Sequence, residues 1–117
     1  MIDPLSEQFP LETWFESFRR KPINELDVND ICIACRQNQA DDQVLGAAIA
    51  MLCETPDAGE QYAGELLVSL SSVAVSEWKK NPVLSRRLLR EISQLPVELQ
   101  QEFAADIEML RQRLEAT

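Results

Sequence analysis

Apolar residues recur along this chain at intervals of three and four, and no stretch alternates polar and apolar over the length of a strand. That periodicity predicts helices throughout. Pro10 suits a first helical turn, and Leu11, Trp14, Phe15 and Phe18 follow at helical spacing up to the basic stop Arg19, Arg20, Lys21. Pro22 ends that helix, leaving one short turn over Pro22–Leu26. Asp27 reads as an N-cap, and Val28, Ile31, Cys32 and Cys35 then form one apolar face, with Asp30 favourable to the helix dipole in the first turn. This helix should end near Asn38. Asp41 and Asp42 open the next, which runs to about Glu54 and is apolar nearly all round, the mark of a central helix. Within it Gly46 and Ala50 would let a neighbouring backbone come close.

Thr55–Gly59 (TPDAG) is turn chemistry. A helix from about Glu60 to Val73 should follow, with Ala63, Leu66, Leu67, Leu70 and Val73 inward and Glu65, Ser69 and Ser72 on the opposite face. Ser76 is placed to cap a short turn holding Trp78. Asn81-Pro82 combines an N-cap with a first-turn proline. The helix it starts carries Leu84, Leu88, Ile92 and Leu95 and is broken by Pro96. A last helix has Leu99, Phe103, Ile107, Leu110 and Leu114 on one stripe. The expectation is an all-α fold: one domain over residues 1–117, a compact bundle of about six short helices.

Charge changes the picture. Between Pro22 and Trp78 there are ten acidic side chains and one basic one, Arg36. That segment therefore carries −9, the net charge of the whole chain, while the flanks cancel. A segregated field of one sign steers a partner of the opposite sign. Direct nucleic-acid binding needs a basic stripe to neutralise phosphates, and none is present. The chain has no histidine, the commonest general base and a common metal ligand. No nucleophile–base pair stands out, so no catalytic residue, cofactor or metal is expected. There is no long apolar run and no basic-then-apolar leader in MIDPLSEQFP, and three cysteines are an odd number. The expected setting is the reducing cytoplasm, off the membrane.

Cys32 and Cys35 form a CxxC, but inside a helix rather than at its start, with only Cys53 left as a further thiol ligand. Buried, unreactive thiols fit better than a redox or zinc site. Trp78 and Tyr62 fit either the core or an interface anchor.

Three motifs carry a resemblance. From Leu11 the chain reads LETWFESFRRKPINELDVNDICIACRQ; Pro56–Leu70 reads PDAGEQYAGELLVSL; Trp78–Leu84 reads WKKNPVL. In this order they resemble the small helical immunity proteins of bacterial contact-dependent growth inhibition (CDI) systems. Two positions depart from the pattern: Asp57, where an apolar residue is usual, and Ala63, where an acidic one is. The resemblance implies an antidote that binds a cognate toxin domain and blocks its active site. Many such toxins are nucleases with basic grooves, a surface that an acidic face would match. The contact residues it implies are Asp57, Glu60, Tyr62 and Glu65, with Asp41, Asp42 and Glu54 nearby in sequence. An alternative of another class is an acidic regulatory or DNA-mimic protein acting on a nucleic-acid enzyme of its own cell. Mimicry calls for acids spaced like phosphates, and ten over this segment are sparse for it.

Overall fold

Asp27 opens the first long helix as its sequence predicts. Its carboxylate accepts from Asp30 N at 2.8 Å while Asp30 Oδ2 accepts from Asp27 N at 3.3 Å, a reciprocal capping box. The structure, a computed structural model, describes residues 16–116. The predicted helical positions Pro10–Phe15, including Trp14, lie outside the described residues. Residues 16–20 are helical, and Ile23–Glu25 form a 3-10 turn at the predicted short turn.

Helix α1 is Val28–Arg36, two residues shorter than expected, and Asn38 then turns the chain at φ 59°. Helix α2, Asp42–Glu54, has the predicted bounds, with Asp41 Oδ1 accepting from Val44 N at 2.9 Å. Then come α3 (Glu65–Leu70), α4 (Val75–Lys80), α5 (Pro82–Ser93), α6 (Val97–Glu102) and α7 (Ala104–Glu115). There is no strand among the described residues. Helices α1, α2 and α3 pack on one another, α5 covers α2, and α7 closes the bundle against α3, α4 and α5. The core they share includes Ile31, Leu45, Ile49, Leu52, Leu66, Leu67, Leu70, Leu88, Ile92 and Leu110. Each such side chain contributes roughly 1.5–3 kcal/mol relative to exposure, far more than any surface charge on the molecule.

Six expectations are corrected. The helix after the TPDAG turn begins at Glu65, not Glu60, because Gly64 sits at φ 91°, where a right-handed helix cannot pass. Ala63 is therefore exposed rather than inward. The last stripe is two helices, broken at Phe103, whose ring occupies the space that a side chain at position 64 would need. Asn81 stands at the start of α5 but donates from Nδ2 to Glu77 O at 2.9 Å, closing α4 rather than capping α5; Ser76 lies inside α4 and caps nothing. Finally, among the described residues nothing lies within 4 Å of a Cβ placed on Gly46, so none of their backbone approaches α2 there.

Trp78 is completely buried, which rules it out as a surface anchor. Its indole Nε1 has no hydrogen-bond partner among the described residues. Cys32 and Cys35 are also buried; burial pushes both thiols up, Cys35 to about 12, so neither is a thiolate at neutral pH.

Candidate partner-binding surface

The chain between α2 and α3, residues 55–64, is folded back on itself by its own backbone. Ala58 N donates to Thr55 O at 2.9 Å, Gly64 N to Asp57 O at 2.8 Å and Leu66 N to Ala58 O at 3.0 Å. The turn is tight enough that a Cβ on Gly59 would lie 2.0 Å from Tyr62 O. Glycine is required there by space and at Gly64 by backbone angle as well.

Glu65 holds this loop from inside. Predicted on the solvent face and as a contact residue, it is 1% exposed. Its Oε1 accepts from Glu60 N at 2.8 Å and Gln61 N at 2.9 Å, and its Oε2 accepts from Arg36 Nη1 at 3.1 Å. The same Arg36 nitrogen reaches Ser69 Oγ at 3.1 Å, so Ser69, also predicted outward, is buried in the same network. Burial alone would raise the Glu65 carboxyl. The N–H groups of Gln61 and Glu60 and the Arg36 guanidinium outweigh it and hold the carboxyl below the ordinary glutamate value. Glu65 is a structural carboxylate facing inward.

The other predicted site residues are at the surface, in two groups. Glu54 ends α2, and Asp57, Glu60 and Tyr62 follow on the loop; all four are exposed, Tyr62 by 49%. Asp41 and Asp42 are exposed at the opposite end of α2, roughly 18 Å away at 1.5 Å per residue. The acids at that end have a structural explanation: Asp41 caps the helix and Asp42 meets the positive pole of its dipole. Glu54 has none. It stands at the negative pole, in a last turn without a basic residue.

The opening charge count also sharpens. Two of the ten acids, Asp30 and Glu65, are buried against Lys21 and Arg36. Arg36, the one base of the acidic segment, is thus already engaged. Glu25, Asp27, Asp41, Asp42, Glu54, Asp57 and Glu60 are exposed, and Glu77 is half-exposed beside Lys80. Sequence spacing could not reveal the inward turn of Glu65, whose partner is 29 positions away. The signal available was indirect: a lone arginine in a run of acids invites a specific carboxylate.

Among the described residues, no group of three or more Cys, Asp or Glu could hold a metal ion, and no helix is long and apolar enough to cross a membrane. A model of the CDI immunity protein family matches residues 1–88, a span that contains the loop, its latch and all three sequence motifs. The chain belongs to the CDI immunity proteins. No curated protein matches it. Membership gives this immunity protein a cognate toxin as partner, and the all-α fold agrees with the resemblance read from its motifs.

Proposed function

We propose that this CDI immunity protein neutralises its toxin stoichiometrically and without catalysis, in the cytoplasm, by seating its acidic loop on a basic active-site surface, most simply the phosphate-binding groove of a nuclease. The whole of residues 1–117 acts as one immunity domain, and it makes no direct contact with nucleic acid. Glu54, Asp57, Glu60 and Tyr62 carry the contact; Asp41 and Asp42 add to the field that steers the approach. The observation that supports this reading is the exposure of those acids while Arg36 is held by Glu65. A rigid acidic loop beside one aromatic side chain offers charge complementarity with little ordering cost on binding.

Reversing Glu54, Asp57 and Glu60 to Lys should slow toxin association at least about tenfold at low salt, because the local field changes sign. Reversing Glu108 and Glu115, exposed on α7, should do little. Raising salt to about 0.5 M should erase most of the difference, since screening then acts over a few ångströms. Stopped-flow association of both variants with the toxin decides it, and equal slowing would refute the reading. Inhibition complete at well below equimolar protein would refute the stoichiometric part, and capture of many DNA-binding proteins in place of one toxin would favour the DNA-mimic alternative.

A further inference from the structure

Beside the loop lies an open groove of about 330 Å³, lined by Val28, Met51, Glu54, Thr55, Ala58 and Gly59. It stands where the start of α1, the end of α2 and the loop meet. Its size is at the bottom of the ~300–1,000 Å³ range of small-molecule sites, enough for one long side chain rather than a cofactor. Val28, Met51 and Ala58 make its walls apolar, and all three are half-buried. Glu54 supplies its one charge, with no ion pair to any described residue.

Two further features give the groove a sign. It adjoins the carboxyl end of α2, where backbone carbonyls are left without helical partners and the helix carries its negative pole. Pro56, four residues after Leu52, has no N–H to offer the Leu52 carbonyl. A carboxylate at this pole opposes the helix dipole instead of complementing it. Glu54 is therefore badly placed for the folded protein alone and well placed for a cation. Arginine and lysine combine an apolar stem, able to lie along Val28, Met51 and Ala58, with a charged head able to reach Glu54.

We propose that this groove seats one arginine or lysine side chain of the toxin, with its stem on Val28, Met51 and Ala58 and its head on the Glu54 carboxylate. The inference rests on the antidote reading and adds a specific anchor to its general field. An anchored, partly desolvated cation acts on the dissociation rate, whereas a rim charge acts on association.

The test compares Glu54→Gln with Asp42→Asn, two exposed changes of equal charge, against the catalytically inactivated cognate toxin domain. Circular dichroism checks that both variants fold. Glu54→Gln should raise the dissociation rate at least about tenfold, and Asp42→Asn should leave it within about twofold. In a double-mutant cycle, one toxin arginine or lysine changed to Met should lose its effect once Glu54 is Gln. Equal dissociation rates for the two variants, or additivity with every toxin cation, would overturn the seat while leaving the antidote reading intact. If the wild-type protein does not bind the toxin at all, the antidote reading falls and the toxin side chain with it. The cationic seat is then decided by amide shifts of the free protein titrated with N-acetyl-arginine amide and N-acetyl-lysine amide. Saturable shifts at Val28, Met51, Ala58 and Gly59, absent in Glu54→Gln, would support it and show which head group it prefers; no saturable shift with either would overturn it.

Discussion

Asp30 and Glu65 are both buried carboxylates paired with a cation that reaches the surface, Lys21 Nζ at 2.9 Å in one case and Arg36 Nη1 at 3.1 Å in the other. Their remaining bonds differ. Asp30 serves a helix start three residues back and a lysine nine residues back, so it finishes structure that local sequence already favours. Glu65 joins α1 to α3 across 29 residues and binds two consecutive N–H groups of a loop that has no regular structure of its own. The first carboxylate trims an element, whereas the second replaces one.

That difference orders the expected losses. Glu65→Ala should cost about 2–4 kcal/mol, since it removes charge-assisted bonds to three donors at once. Urea unfolding measures it, and amide exchange at Glu60 and Gln61 should accelerate in step. If those amides stay as protected as in the wild type, Glu65 is not what holds the loop. Asp30→Ala should cost less, about 1–2 kcal/mol, the usual range for a lost cap with a partly exposed partner. A loss larger than that of Glu65→Ala would reverse the comparison.

The pH dependence separates the two pairs in direction. The Glu65 carboxyl is held below the ordinary glutamate value of 4.5, so its contribution is present above pH 4.5 and is lost as pH falls through its lower folded value. Lys21 is raised above its ordinary 10.5, chiefly by the hydrogen bond to Asp30, so its contribution is present below that pH and is lost as pH rises through the folded value. Glu65→Gln should accordingly flatten the loss of stability below pH 4.5 and leave the alkaline limb unchanged. Steepening on the acid side would contradict the assignment. The smallest effect belongs to the exposed pair Glu77–Lys80, at 3.3 Å: Glu77→Ala should move stability by no more than about 0.5 kcal/mol.

What could be read from the sequence follows the same division between local and distant causes. The start of α1 at Asp27, both ends of α2 and the proline that opens α5 depend on residues within four positions of one another, and each was legible. The buried face of α1 was legible too, because a 3.6-residue period records it directly. Glu65 was not: on a helix wheel it belongs outside with Ser69, and its burial is made tolerable by the Gln61 and Glu60 N–H groups together with Arg36 arriving from α1. The false start of α3 has a similar origin. Helical spacing runs through Glu60–Gly64 without interruption, and what prevents the helix is the left-handed Gly64 with the Phe103 ring beside it. That ring also breaks the final stripe. Of the implied contact residues, Asp57, Glu60 and Tyr62 proved exposed and Glu65 buried, while Trp78, open between core and interface on sequence alone, belongs to the buried core.

The latch also divides labour within the loop. Gly59, Gly64 and Glu65 hold its path from beneath, through backbone groups that every residue type shares. Asp57 and Ala63, the two positions that depart from the family pattern, are both exposed, as are Glu60, Gln61 and Tyr62. Path and face are therefore separately editable. Under the proposed function, a lineage, or an engineer, can rewrite the outward side chains toward a different toxin without disturbing the fold, so long as the three residues beneath stay as they are.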